Sequence, residues 1–117
     1  MSQVKVMDRK VYYAGDTIFR EGEDGSCAYL IQDGSVEIFK PQRDGTAKVL
    51  AVIGKGSIFG EMALIDSKPR MASAVAQEQT TLIIINQQQF ADRMAKADPF
   101  VKGLLNILVS NVRAMSK

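Results

Sequence analysis

Short apolar runs separated by glycine-bearing turns, at intervals too small for long helices, constrain this chain more than any other feature. Ala28-Tyr29-Leu30-Ile31-Gln32 and Ser35-Val36-Glu37-Ile38-Phe39 flank Asp33-Gly34. That dipeptide is the strongest short-range signal for a two-residue hairpin turn, because both residues tolerate positive φ. A second turn at Asp44-Gly45 leads into a strand over Lys48 to Ile53, which Gly54 and Gly56 close. Ala72-Ser73-Ala74-Val75-Ala76 and Thr81-Leu82-Ile83-Ile84-Ile85 read as two more strands. Strands this short with turns this frequent predict a mainly β fold, an antiparallel β jelly-roll barrel over about residues 11–86.

The pattern changes after Ile85. Asn86 followed by Gln89 fits an N-cap with its capping-box partner and opens a short helix through Phe90 and Met94. Asp98-Pro99 supplies a second N-cap, with proline at the first helical position, where its missing N–H costs nothing. Helices are thus expected over about 87–116, the last from Pro99 to about Met115. Its apolar residues fall on two stripes. Val101, Leu105, Leu108, Val112 and Met115 have the spacing of a coiled-coil seam, while Phe100, Leu104 and Ile107 are expected to pack on the barrel. With no repeat, linker or low-complexity tract in view, residues 1–117 are expected to form one domain.

Composition excludes several functions. The chain contains no histidine, so no Ser-His or Cys-His nucleophile pair and no histidine-bearing metal site is available. No catalytic residue, metal ligand or cofactor is expected. The 15 Lys+Arg against 13 Asp+Glu give a net charge of +2, too even for a dedicated nucleic-acid coat. One cysteine, Cys27, allows no intrachain disulfide, which suits a reducing cytoplasm, and is read as a small buried hydrophobe. The longest apolar run, Val49 to Ile53, is far below the roughly 20 residues that span a bilayer. The reading is a cytoplasmic domain without a transmembrane segment.

One segment fits neither strands nor long helices. It runs from Gly54 to Met71 and holds one helical turn near Glu61–Ile65. Gly60 permits close approach of backbone to a ligand, and the amides of Glu61, Met62 and Ala63 are the free donors of a nascent helix, suited to phosphate. Arg70 can complete such a site with a charge-assisted fork. Glu61 would repel a bare phosphate but accepts a hydrogen bond from a sugar hydroxyl, so a phosphate joined to ribose satisfies both residues. A surface ion pair between Glu61 and Arg70 explains the same residues on spacing alone. Gly54-Lys55-Gly56-Ser57 lacks the glycine and the Gly-Lys-Ser order of a P-loop, and no βαβ unit surrounds Gly54, Gly56 and Gly60.

Phe59-Gly60-Glu61-Met62-Ala63-Leu64-Ile65, followed by Pro69-Arg70-Met71-Ala72-Ser73, closely resembles the phosphate-binding cassette of cyclic nucleotide-binding domains. Such domains occur in regulatory subunits of cAMP-dependent kinase, catabolite-activator-type regulators and cyclic-nucleotide-gated channels. The resemblance extends over Gly15-Asp16-Thr17-Ile18-Phe19, Glu21-Gly22-Glu23 and Tyr29 to Val36, and covers roughly residues 12 to 95. It implies a cyclic nucleotide (cAMP or cGMP) as ligand, with Glu61 on the ribose 2′-hydroxyl, Arg70 on the cyclic phosphate, and amides of Ala63 and its neighbours completing the cradle. Met71 and Ala72 would lie beside phosphate or base. The last helix would be the family's C-terminal lid helix, with Arg113 as candidate lid residue. Relatives selective for cGMP carry Thr or Ser directly after the arginine. Here Met71 stands there, which favours cAMP.

A non-enzymatic sensor is therefore the leading reading, and a fold that has lost nucleotide binding and serves as a protein-interaction scaffold is its rival. The intact Glu61/Arg70 pair favours binding. No helix-turn-helix is expected beyond the last helix, so no DNA-binding domain is predicted. Output is expected through an unknown protein partner or a homodimer formed by the last helix.

Overall fold

The computed structural model describes residues 8–66 and 68–115. Eight strands come in chain order, with one helical turn among them: Asp8–Tyr12 (β1), Thr17–Phe19 (β2), Cys27–Asp33 (β3), Ser35–Pro41 (β4), Ala47–Gly54 (β5), Ile58–Phe59 (β6), Met62–Asp66 (α1), Ser73–Ala76 (β7) and Thr80–Asn86 (β8). Gln87–Met94 (α2) and Pro99–Met115 (α3) follow. The strand-built region thus begins a little before the expected residue 11, while residue 116 and residues 1–7 lie outside the described residues.

The strands form two four-stranded sheets of order β1-β8-β3-β6 and β2-β7-β4-β5, with every pair antiparallel. The mainly β class and the trailing helices are as expected. The barrel is not closed: β1 and β6 end one sheet, β2 and β5 the other. Both sheets contribute to a single core in which Ile31, Val36 and Leu82 are fully buried. Each such side chain stabilises the fold by about 1.5–3 kcal/mol. At one end of this core Phe19, Tyr29 and Phe59 stack with ring centroids 5.2–6.0 Å apart. Tyr12 and Tyr29 belong to the core, whereas Tyr13 is exposed.

The Asp33-Gly34 corner is not a hairpin. Both edges of β3 are occupied, by β8 and β6, and both edges of β4, by β5 and β7, so the corner carries the chain from one sheet to the other. Gly34 is required there twice over. Its φ is +100°, and a Cβ would lie 2.4 Å from the Thr80 hydroxyl and 2.6 Å from the Gln79 carbonyl oxygen. Buried Thr80 knots the corner: its hydroxyl lies 2.8 Å from the Glu78 carbonyl and 3.1 Å from the Ser35 carbonyl, with one proton to donate between them, and accepts from the Ser35 amide. The true hairpin is β4–β5, closed at Asp44-Gly45, where Gln42 donates to the Thr46 carbonyl and the Asp44 carboxylate accepts from the Thr46 amide and hydroxyl.

Both helix starts match expectation. Asn86 and Gln89 form the reciprocal capping box of α2, and the Asp98 carboxylate accepts from the Phe100 amide ahead of α3. The faces of α3 do not. Phe100, Leu104 and Ile107, expected on the barrel, are exposed, and so are Val101, Leu108, Val112 and Met115 of the seam. Only Lys102, Leu105, Val109 and Arg113 are covered or partly covered, at spacings of 3, 4 and 4 along the helix. At Arg113 this narrow stripe meets Asp66 of α1. It went unseen because two of its four members are cationic, and a search for apolar periodicity passes over them.

Candidate functional site

The chain between β6 and β7 enters the sandwich beside the aromatic cluster. Phe59 is buried and anchors the near limb, and Gly60 follows with φ of +74°. The first turn of α1 comes next, its N-terminal amides lacking intrahelical acceptors by geometry. Ala63 and Leu64 bury the inner face of α1. The far limb returns through Pro69 to Arg70. There the Arg70 amide donates to the Glu23 carbonyl and the Gly22 amide donates to the Arg70 carbonyl, pinning the backbone to the β2–β3 loop.

These limbs enclose a cavity of about 250 Å³. Gly60, Glu61, Met62, Ala63, Arg70, Met71, Ala72 and Arg113, the eight residues singled out from sequence, all line it. Phe19, Ile38, Lys40, Leu50, Ile58 and Phe59 complete the wall. Ser73 does not take part, since its hydroxyl accepts from the Glu21 amide.

Arg70 dominates the electrostatics. It is 6% exposed, and its guanidinium lies over the Phe19 ring with Cζ 4.2 Å from the centroid. Nη1 donates to the Gly60 carbonyl at 2.9 Å and Nη2 to the Cys27 carbonyl at 2.8 Å, while Nε is buried without a partner. Among the described residues no carboxylate pairs with it, so the surface ion pair to Glu61 is not formed. Two neutral carbonyls solvate the cation without cancelling its charge, and an uncompensated buried charge is costly. Glu61 is exposed at the cavity rim.

Sequence reasoning missed the slot that orients this guanidinium. A Cβ on Gly25 would lie 2.4 Å from Arg70 Nε, and one on Gly60 2.7 Å from Nη1. Only hydrogen at both positions leaves room for the side chain over Phe19. The pair of glycines at Gly22 and Gly25 beside Glu23 was the available signal. Cys27 is half-buried, and its carbonyl holds Arg70. Burial, then the neighbouring Cys27 thiol, pushes the Tyr29 phenol above its ordinary range, so it stays neutral beside the cation.

Arg113 reaches the cavity from α3. Its Nε and Nη2 donate to the two oxygens of Asp66, and Nη1 donates to the Pro69 carbonyl at 3.1 Å. Burial raises the Asp66 pKa, but hydrogen bonds from Arg113 and the Lys68 amide, with the Arg113 charge, outweigh it and hold the carboxyl below its ordinary value.

Residues 9–97 match the sequence pattern of the cyclic nucleotide-binding domain. The chain belongs to that family. The family is a regulatory ligand-binding domain and not a catalytic one. This cyclic nucleotide-binding domain is 33% identical over 105 residues to the cyclic AMP receptor protein of Thermus thermophilus, covering 90% of this chain and 49% of the relative. It is 38% identical over 84 residues to the cAMP-dependent protein kinase regulatory subunit of Aspergillus fumigatus, covering 72% of this chain and 20% of that protein. The chain therefore spans half or less of these relatives. Among solved structures, the cAMP-bound form of the EAL enzyme Bd1971 superposes with TM-score 0.86 at 39% identity, over 91% of this chain and 28% of that one. Its cGMP-bound form superposes with TM-score 0.85 at the same identity and coverage. Among the described residues, no helix of the domain is long and apolar enough to cross a membrane, and no cluster of three or more His, Cys, Asp or Glu is placed to hold a metal ion.

Proposed function

We propose that the cavity binds a purine cyclic nucleotide and that the domain, spanning residues 1–117, is a cytoplasmic sensor with no catalytic step of its own. The observation that carries this reading is Arg70, a buried cation that has no carboxylate partner among the described residues, held over Phe19 at the wall of a cavity lined by an aromatic ring and helix-start amides. A cyclic phosphate supplies the missing anion. Arg70 then binds its oxygens together with the amides of Glu61, Met62 and Ala63, while Gly60 lets backbone approach closely. Glu61, at the rim and free of Arg70, accepts from the ribose 2′-hydroxyl. Met71 and Ala72 flank phosphate and base.

Both cAMP and cGMP fit this chemistry, with cAMP modestly preferred. Guanine carries a 2-amino donor, and the Met71 thioether is a weak acceptor for it. Output runs through α3, whose two apolar stripes stand exposed as the surface for a partner protein or a second copy of the chain.

The test is a comparison of cAMP with its 2′-deoxy analogue. The parent should bind the deoxy form more weakly, and Glu61→Ala should weaken cAMP by about 1.5–3 kcal/mol, the worth of a charge-assisted hydrogen bond. The same variant should no longer distinguish the two. Equal affinity of the parent for both analogues contradicts the role given to Glu61.

A further inference from the structure

Arg113 is the candidate lid residue, yet all three of its guanidinium nitrogens are turned elsewhere. Two go to the Asp66 carboxylate and one to the Pro69 carbonyl. Asp66 ends α1, and its Oδ1 also accepts from the Lys68 amide at 3.1 Å, closing the turn after that helix. Pro69 immediately precedes Arg70. Between the α1 amides on one side of the cavity and Arg70 on the other, the connecting limb is thus gripped at Asp66, Lys68 and Pro69 by a single carboxylate–guanidinium pair. Both side chains are only 16% exposed, so solvent screens the pair less than it would a surface bridge.

We infer that Asp66 and Arg113 brace the limb that separates α1 from Arg70, making Arg113 a positioning residue for the nucleotide phosphate and α3 a supporting wall of the site. The inference rests on the nucleotide reading above and assigns Arg113 no contact with the base. A bidentate fork with a third bond to a main-chain carbonyl fixes direction as well as distance, which a lysine at the same place does not. Because this pair ties α3 directly to the limb, the brace also couples the cradle to the helix: whatever fixes one end of the limb stabilises the other.

The experiment is calorimetric titration of cAMP and of cGMP into the parent chain, Arg113→Ala, Asp66→Asn, the double variant and Arg113→Lys. Each single variant should weaken both nucleotides by the same factor, roughly 5- to 50-fold, within the range of coupled sites. The double variant should be no weaker than the singles, and Arg113→Lys should recover only part of the loss. Unequal losses for the two purines would assign Arg113 to the base and overturn the inference, as would additive losses or unchanged affinity. Hydrogen exchange without nucleotide supplies the second readout. Arg113→Ala should speed exchange at the Lys68 and Arg70 amides and leave Ile31 and Leu82 in the core unchanged. Acceleration throughout the core, or none at Arg70, would reduce the pair to an ordinary fold contact. If the parent binds neither nucleotide, the functional reading fails, and exchange at Arg70 alone decides the brace.

Discussion

The limb carrying Arg70 and helix α3 are fixed to the same sandwich by opposite means. Arg70 is fixed at both ends of its backbone, stacked on Phe19, bonded to two carbonyls and walled by two glycines. Helix α3 leaves most of two apolar stripes in solvent and is docked by a narrow stripe that includes Leu105, Val109 and the Arg113 fork. A rigid cradle keeps the ordering cost of binding low. A lightly docked helix needs little free energy to move, and a small differential affinity suffices to shift it. On the proposed function, recognition belongs to the first region and signalling to the second.

The hardest way to break the first half of this contrast is to remove Arg70. Arg70→Ala should weaken cyclic nucleotide binding by about 3–5 kcal/mol, because a buried phosphate loses its countercharge. In titrations that is roughly a hundred- to few-thousand-fold. Since the alanine also orphans the carbonyls of Gly60 and Cys27, Arg70→Lys is the control. It keeps the charge, loses the fork, and should bind measurably but weakly. Parent-like binding by the alanine variant refutes the cradle.

Next comes the slot. Gly25→Ala pushes a methyl into the guanidinium from a position that does not itself line the cavity. It should cost about 1–3 kcal/mol of overpacking, felt as weaker binding of both nucleotides. An alanine variant with unchanged affinity and melting temperature would show that the slot is not tight.

Selectivity is a smaller effect. Met71→Thr offers a hydroxyl to the guanine amino group and should raise cGMP affinity by about 0.5–1.5 kcal/mol, leaving cAMP nearly unchanged. If the ratio of the two affinities does not move, discrimination lies elsewhere in the wall.

The docking of α3 should respond least, and only in acid. The folded Asp66 pKa is lowered, so its ion pair contributes above the ordinary carboxylate range and is lost as pH falls through the folded value. Hydrogen exchange along α3, taken relative to the intrinsic amide rate at each pH, should therefore be flat near neutrality and rise below about pH 4, the ordinary aspartate range. Asp66→Asn should abolish the rise, and a rise that survives in that variant would place the pH response on another group.

Local chemistry was legible in the sequence wherever one residue decides the geometry. Asn86 with Gln89, Asp98 with Pro99, and the Gly60-to-Ala72 limb all stand where they were expected, because caps and glycines act within a few residues. Partner choice was not legible. The two Asp-Gly corners look alike along the chain, yet one is a hairpin and the other joins two sheets. What separates them is Thr80, 46 residues beyond Gly34, filling the inside of the corner. In the same way, α3 presents its most apolar faces to solvent and docks through a stripe containing Lys102 and Arg113, and Asp66, the polar partner of Arg113, is distant in sequence. Gly25 escaped notice because its constraint is a side chain 45 residues away.

The central claim is that Arg70 is a preformed phosphate receptor, and calorimetry of cAMP binding to the parent chain beside Arg70→Lys tests it most directly. The account predicts one nucleotide per chain at micromolar or tighter affinity for the parent, equivalent to about 8 kcal/mol or more. It predicts a clear loss in the lysine variant while the melting temperature without nucleotide stays close to that of the parent. A folded parent that takes up neither cAMP nor cGMP, or a lysine variant that binds as tightly as the parent, would contradict it.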